Sequence, residues 1–534
     1  MNSFMRNIGI PTTTIYMFCS TILFWTVQAY AQKPMAHATQ LKDRIRIDGK
    51  LDEPDWQGAL PIGPLIQLDP KEGEPASEET EVRILFDSDA IYFGITCRDR
   101  TPSAIVSKQL TRDADLSVDD RAMVILDPFF DQRNGFFFAV NPSGARADGQ
   151  VANSAEHISI DWDGIWNAAS RITPEGWVAE IVIPFKTLRF KPGLASWGLN
   201  VERHIKRKNE TDRWAGARRD IWVSNLAEAG RLEGLTGIHQ GHGLDIRPFL
   251  ATGNKDDDGR LDVGIDVSKN LTPNLNASLT VNTDFAETEV DARQVNLTRF
   301  PLFFPEKRAF FLEGAGVFEL PGVTGTDLVP FFSRRIGLLE GQEVPILIGT
   351  KVIGRQSGYN IGFLDVQTRR VDNVELDGQK VSVDGQNLLA ASVSRNFFRQ
   401  STVGAIFTRG NPAGAGNNSL IGANARLATS EFRGNKNISL DVFMFRTQDE
   451  ESHTSDYAGG FKVDYPNDLW DIAMTWKQIG TNFRPALGFV PRAGIRRANV
   501  GVEFRPRPER WAIRQFFFQL RPAVITNLKN EIQN

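Results

Sequence analysis

Sulfur chemistry is almost missing from this chain. Cys19 and Cys97 are its only cysteines in 534 residues, and Cys19 lies in an N-terminal segment that reads as removable. One remaining thiol permits neither an internal disulfide nor a cysteine-based zinc site. A charge excess of either sign is missing too: Lys+Arg is 61, Asp+Glu is 65 and the formal net charge is -4. That balance argues against a nucleic-acid partner, whose binders carry a basic excess. Tyrosine is scarce, at 6. Beyond the N-terminus no apolar stretch approaches the roughly 20 residues of a membrane helix, so insertion into a membrane after export would require a β-barrel. No Ser–His–Asp signature, P-loop or dinucleotide fingerprint stands out.

What is present begins with an export signal. Arg6 supplies a positive start, Ile15 to Val27 is an apolar core, and Ala29-Tyr30-Ala31 gives a small-x-small cleavage pattern. Residues 1–31 are therefore read as a signal peptide, with Gln32 opening the mature chain. The apolar run is short for a membrane anchor. Cys19 lacks the small residues that would precede a lipoprotein cysteine.

The rest is rich in glycine, 46, and phenylalanine, 36, and falls into two textures. From about residue 38 to 240, short alternating runs are separated by turns. Glu81 to Cys97 reads as two strands around Asp87-Ser88-Asp89. Ala122 to Leu126 and Gly135 to Val140 flank a polar turn at Asp131 to Asn134, and Trp177 to Pro184 and Trp197 to Val201 follow. Short strands at regular spacing predict a β-sandwich.

From 244 to 534 the runs lengthen and pair. Leu261–Ser268 goes with Leu275–Thr283, Ile346–Gly354 with Gly358–Thr368, and Leu388–Arg395 with Thr402–Arg409. Leu420–Leu427 goes with Ile438–Arg446, and Tyr457–Asp464 with Trp470–Lys477. Leu388, Ala390, Ser392 and Ser394 share one face, and Leu389, Ala391, Val393 and Arg395 the other. Strands of about nine to eleven residues with one apolar face predict an outer-membrane barrel in contact with lipid; the alternative is a second soluble β-domain, which the scarcity of Tyr favours and the export signal opposes. The predicted fold class is all-β, an N-terminal sandwich followed by a C-terminal antiparallel outer-membrane β-barrel. Thr298 to Pro321, dense in Phe and charge, breaks the alternation and suits a segment folded into the barrel lumen or capping it. About thirteen candidate strands and a polar tail at Asn527 to Asn534 leave two readings: the count is off, or the chain stops before the barrel is complete.

Two stretches carry a resemblance. Ile47 to Trp56 (IDGKLDEPDW) resembles the opening of carbohydrate-binding module family nine domains, and Asp119–Asp131, Phe136–Asp148, Trp162–Ala169 and Gly176–Phe190 fit the same domain. Val281 to Leu320 is similar to the start of a bacterial β-barrel domain of unknown function that commonly follows that module. The resemblance implies glycan or polysaccharide as partner, a role in carbohydrate catabolism or uptake, and a hydrolase label that relatives inherit from xylanases.

Sugar recognition needs an aromatic face for pyranose C–H groups and planar polar side chains for hydroxyls. Trp162, Trp166 and Trp214 are the stacking candidates; Asn141, Arg203 and Asn209 are the polar ones. Trp214 follows Lys206 to Arg213, as the module's late-strand stacking Trp follows a charged stretch. Trp56 and Trp177 read as core. The chain departs from the module where a second stacking Trp and an Arg would stand, offering Ser117, Asp120 with Met123, and Ala139 instead.

No catalytic constellation emerges. Asp161, Asp163 and Glu156 around Trp162 could supply the two carboxylates of a glycosidase, but an Asp- and Gly-bearing run more often builds a turn. Glu287, Glu289 and Asp291 alternate as a lumen wall or a solvated face would. No cofactor is expected. Calcium is a weak alternative at Asn254-x-Asp256-x-Asp258-Gly259, where position twelve is Ile265 rather than Glu. His239 and His242 sit in a Gly-rich linker. The leading expectation is an exported outer-membrane protein of a Gram-negative bacterium whose sandwich engages glycans. The alternatives are a surface glycoside hydrolase and a structural or transport barrel whose sandwich has lost sugar binding.

Overall fold

The computed structural model describes residues 33–533 except 153–156, 161, 241–242, 256–257, 273, 283–294, 297–298, 321–322, 324–326, 340–341, 357, 377–378, 415 and 509–512. The signal segment expected at 1–31 lies outside the described residues.

The N-terminal part contains β1 (Met35–His37), β2 (Thr39–Gln40), helix α1 (Pro54–Gly58), β3 (Ile66–Asp69), β4 (Thr80–Phe86), β5 (Ala90–Arg98), β6 (Arg121–Asp127) and β7 (Gly135–Val140). It continues with β8 (Arg146–Ala152), β9 (His157–Ser159), β10 (Asn167–Thr173), β11 (Gly176–Pro184), β12 (Ser196–Ile205), β13 (Glu210–Arg213) and β14 (Gly230–Glu233). They form two sheets. One runs β1-β14-β12-β6-β7-β8-β9, with β13 and β3 continuing from β12, and the other runs β10-β11-β5-β4-β2.

Period-two alternation explains the layering. Val82, Ile84 and Phe86 from β4, Phe93 and Ile95 from β5, and Ala179, Ile181 and Ile183 from β11 meet Val124, Leu126, Phe138, Leu199 and Val201 of the facing sheet in one core. Each large apolar side chain taken from water there contributes about 1.5–3 kcal/mol. Trp56 and Trp177, expected in the core, are both 1% exposed. Glu180 pins the opening motif, accepting from Asp48 N at 2.8 Å, Gly49 N at 2.7 Å and Trp56 Nε1 at 3.2 Å. Gly94 makes room for this, since a Cβ there would meet Trp56 Cζ3 at 2.8 Å.

The C-terminal part contains β15 (Leu244–Lys255), β16 (Asp258–Thr272), β17 (Leu275–Val281), helix α2 (Ala309–Leu312), β18 (Leu338–Leu339), β19 (Gln342–Glu343), β20 (Ile346–Gln356), β21 (Tyr359–Thr368), β22 (Val371–Leu376) and β23 (Gln379–Val383). Then come β24 (Asn387–Phe397), β25 (Ser401–Arg409), β26 (Asn418–Phe432), β27 (Lys436–Asp449), β28 (Thr454–Pro466), β29 (Trp470–Ile479), β30 (Ile495–Phe504), β31 (Phe518–Leu520) and β32 (Ala523–Asn527). One antiparallel sheet of 14 strands takes in all but β18, β19, β22 and β23. The expected hairpins pair, with Leu261–Ser268 and Leu275–Thr283 seen over Ile265–Thr272 and Leu275–Val281, and Thr283 lying outside the described residues. Both β31 and β32 lie along β30, and among the described residues β15 pairs only with β16, so the sheet is open at that seam.

The two faces of this sheet differ. In β27, Leu440, Val442 and Met444 are exposed while Ser439, Asp441, Phe445 and Thr447 are buried. In β25, Val403, Ala405 and Phe407 are exposed while Gly404, Ile406 and Thr408 are buried. The buried face wraps the segment that breaks the alternation. Phe310 lies 3.3 Å from where a Gly349 Cβ would stand, Val317 2.8 Å from that of Gly362 and Leu320 3.6 Å from that of Gly404. Farther along, Leu328 clusters with Leu420, Phe445, Ala458 and Ile479, and Asp327 pairs with Lys477 at 2.5 Å and Arg497 at 3.0 Å. A stretch this short reaches β20 and β30 alike only because the sheet curls round it. The described part of Thr298 to Pro321 thus fills the interior, one of its two expected positions. Arg308 fixes its turn, donating to Glu306 at 2.8 and 2.7 Å and to the Ile336 carbonyl at 2.7 Å.

No described helix is long and apolar enough to cross a membrane.

Candidate functional site

Trp162 and Trp166 lie together on the chain between β9 and β10, but Trp166 is 5% exposed and packs in the core, which corrects its reading as a stacking face. Trp162 is half-buried. Its ring lies 4.8 Å from Phe136 and 6.1 Å from Phe138, and Trp166 stands edge-on to Phe138 at 5.2 Å. The two indoles therefore buttress one another through Phe138, which strand alternation on β7 places beside Phe136 on one face. The intervening turn is tight: a Cβ on Gly164 would meet Trp162 Cη2 at 2.6 Å.

Asp148 holds this turn. The carboxylate, 1% exposed, accepts from Trp166 Nε1 at 2.9 Å, Gly164 N at 2.7 Å and Arg112 Nη2 at 2.8 Å. Arg112 also donates to the Gly164 carbonyl at 2.9 Å and pairs with the exposed Asp163. Arg146 covers the Trp166 ring at 5.5 Å and donates to the Trp166 carbonyl at 2.7 Å and Asn167 Oδ1 at 3.0 Å. Burial and the nearby Asp148 charge push the Asp113 carboxyl above its ordinary range. Trp162 is thus the one partly accessible indole of the pair, packed on one side against the core and flanked at the Gly164 turn by Arg112 and Asp163, while Arg146 and Asn167 bracket the buried Trp166. Such a patch can stack a sugar ring and hydrogen-bond its hydroxyls. Asp148 and Asp163 share Arg112, which ties both carboxylates to the same turn. Asp161 and Glu156 lie outside the described residues.

The other candidates go elsewhere. Trp214 is 7% exposed; a Cβ on Gly230 would meet its Cζ3 at 2.4 Å. It packs in the core and offers no stacking face, which corrects the reading from the charged stretch before it. The physical reason is register: β13 folds back on β12, and the Trp214 amide bonds the Val201 carbonyl at 3.0 Å. Arg203, 0% exposed, spends its guanidinium on the Glu79 carbonyl at 3.0 Å, Thr80 Oγ1 at 3.0 Å and the Arg98 carbonyl at 2.8 Å. It ties the two sheets together. Asn141 is equally buried, donating to Asp119 Oδ2 at 2.9 Å and the Gln109 carbonyl at 2.8 Å. Asn209 is exposed in a left-handed turn, φ 46°, remote in sequence and contacts from the tryptophan pair. Arg112, Arg146 and Asp148 were missed, although Arg146 and Asp148 lie within the Phe136–Asp148 stretch that carries the resemblance.

Among the described residues no cluster of His, Cys, Asp and Glu is arranged to hold a metal ion. In the Asn254-to-Gly259 hairpin Asn254 opposes Gly259 and Lys255 opposes Asp258; Asp256 lies outside the described residues, as do Glu287, Glu289, Asp291 and His242. The His239 amide bonds the Ser88 carbonyl at 3.0 Å.

Residues 244–380 match a family described as a domain of unknown function, DUF5916. No curated protein matches the chain. Among solved structures, a carbohydrate binding module family 9 from Caldicellulosiruptor kristjanssonii in complex with cellotriose is similar at 15% identity, over 38% of this chain and 93% of that one, with a TM-score of 0.29. A BenF-like porin from Pseudomonas fluorescens Pf-5 is similar at 7% identity, over 77% of this chain and 94% of that one, with a TM-score of 0.24.

Proposed function

We propose that this chain is an outer-membrane protein whose C-terminal sheet lies in lipid and carries a β-sandwich that engages glycan at the Trp162 patch, in carbohydrate catabolism or uptake. The observation that carries the membrane reading is the outward face of the sheet. Ile421 is 60% exposed, Met444 53% and Trp470 41%, and strand after strand repeats the pattern. A face of that extent in water drives association; hydrocarbon covers it without cost, and the strands satisfy one another's backbone groups. The glycan reading rests on the half-buried Trp162 ring and the polar groups around it.

The test uses the full chain purified in detergent and applied to a glycan array. Retained glycans that are lost on Trp162→Ala, with melting lowered far less than by Trp214→Ala, support the reading; a chain that stays folded and monomeric without detergent ends its membrane half. A second reading, a structural or transport barrel whose sandwich no longer binds sugar, draws on the commitment of Trp214, Arg203 and Asn141 to the fold. An empty array with ion conductance in lipid favours it.

A further inference from the structure

The strand connections fall into two sets. At one end of the C-terminal sheet lie the links at 273–274, 357–358, 398–400, 433–435 and 467–469, together with 505–517. At the other end lie 282–345, 369–386, 410–417, 450–453 and 480–494, which include the interior segment and the β22–β23 hairpin. The exceptions are the β15–β16 connection and the four-residue 450–453 link on the long side, and 505–517 on the short side.

The sandwich sits on the short end. Arg133 donates to Thr402 Oγ1 and the Ser401 carbonyl, both at 2.7 Å, beside the 398–400 link. Arg218 donates to the Asn435 carbonyl, and Asn437 Nδ2 to the Asp220 carbonyl at 2.5 Å, at the 433–435 link. Arg219 faces Asp468 at 3.8 Å, at the 467–469 link. Arg355, just before 357–358, pairs with Asp131 and lies over Phe129 at 5.4 Å. Arg514 reaches back to the Asn209 carbonyl at 3.1 Å.

Aromatic rings mark the same end. Phe432 meets Tyr465 at 6.5 Å, Trp470 stacks on Phe504 at 4.4 Å, and Phe504 stacks on Phe518 at 6.1 Å. Phe398 is 87% exposed, and Trp222, two residues from the docked Asp220, is 81% exposed. Rings of this kind settle at the boundary of hydrocarbon and water. In outer-membrane barrels the short turns face the periplasm and the long loops the outside.

We propose that the sandwich is a periplasmic cap on the short-turn mouth of the barrel, and that the glycan it meets is one on the inner side of the outer membrane. The inference rests on the membrane reading above and adds its sidedness. The tryptophan patch lies toward the mouth: Thr187 Oγ1 donates to the Ile165 carbonyl at 2.5 Å, and two residues on, Arg189 pairs with Glu313 of the interior segment. The Gly164 turn beside Trp162 thus packs on Thr187, two residues from the Arg189–Glu313 pair that joins cap and lumen filling.

Single cysteines test this in whole cells. Cys97 is 0% exposed, with its thiol pushed up to about 11 by burial, so the native chain gives little background. Ser103→Cys lies on an exposed turn of the sandwich, and Glu451→Cys in the exposed 450–453 loop. With a membrane-impermeant maleimide, Glu451→Cys should label in intact cells and Ser103→Cys only after the outer membrane is permeabilised. Labelling of Ser103→Cys in intact cells, or of both sites only after permeabilisation, overturns the sidedness. Recovery of the chain in the soluble periplasmic fraction is a different result, and it overturns the membrane reading itself.

Discussion

Arg133 Nη1 donates to Thr402 Oγ1 at 2.7 Å while its Nη2 donates to the Ser401 carbonyl at 2.7 Å and the Phe397 carbonyl at 3.2 Å. One guanidinium from the β6–β7 turn thus occupies the groups left over where β24 turns into β25. Asp127 shapes the donor loop, accepting from the amides of Phe129 at 3.2 Å, Asp131 at 3.2 Å and Gln132 at 2.7 Å. Arg133 is 3% exposed, so removing it leaves buried carbonyls without a donor, at a cost of about 1–3 kcal/mol. Arg133→Ala should loosen the cap without unfolding it. Limited proteolysis should then cut the 234–243 linker faster than in the native chain, while the melting of the sandwich stays put. An unchanged cleavage rate would show that the contact does not hold the two parts together.

Much of the architecture was legible because it depends on alternation alone. The β24 faces, Leu388-Ala390-Ser392 against Leu389-Ala391-Val393, can be read straight from the chain, and the pairing partners follow from adjacent hairpins. The position of Trp214 could not be read this way. Its neighbours in sequence are charged, yet Glu202, Arg213 and Asp212 are themselves buried, and Arg213 is satisfied by Glu202 at 2.8 Å and the Ile221 carbonyl at 2.7 Å. A charged stretch reads as surface only when its partners are unknown. The docking of the sandwich was hidden for the same reason: Asp131 to Asn134 has turn composition, and nothing local says that its Arg will reach residue 402.

The two tryptophans on which the site reading turns should respond in opposite ways. Trp214→Ala opens a cavity against Gly230 and should cost about 3–5 kcal/mol, visible as a lowered melting temperature. Trp162→Ala removes a half-buried ring and should cost far less, while abolishing retention on whichever glycan the native chain binds. A large stability loss at Trp162 with glycan retention intact would assign that ring to the core instead.

Asp212 gives the sandwich a pH dependence. Burial, then the Glu210 charge, pushes its carboxyl up to about 8 from 3.8, and both its oxygens are buried without a donor. Between those values the folded chain keeps a proton that the unfolded chain has released. The folded state binds more protons, so this group's contribution to stability is full below about pH 4 and is lost as pH rises toward 8. Asp212→Asn keeps the shape and removes the titration. Its melting temperature should match the native chain near pH 4, exceed it at pH 8, and show the shallower slope between. Equal slopes in the two proteins would refute the assignment.

The outward face of β27 offers the sharpest test of the lipid contact. Leu440, Val442 and Met444 point away from the interior at 38%, 41% and 53% exposure, near the middle of a strand that pairs with β26 and β28 along its length. An arginine at the bilayer midplane of a barrel costs about 2–4 kcal/mol, whereas an arginine on a solvated sheet face costs little. Met444→Arg should therefore lower the yield of folded chain in detergent and lipid, seen as loss of a heat-sensitive mobility shift on electrophoresis. Gln448→Arg, on the same face near the long-loop end and exposed, is the control and should fold as the native chain does. The contrast separates depth in a membrane from a generic intolerance of charge. If Met444→Arg folds as well as Gln448→Arg, the apolar face does not meet hydrocarbon, and it must be covered by protein instead.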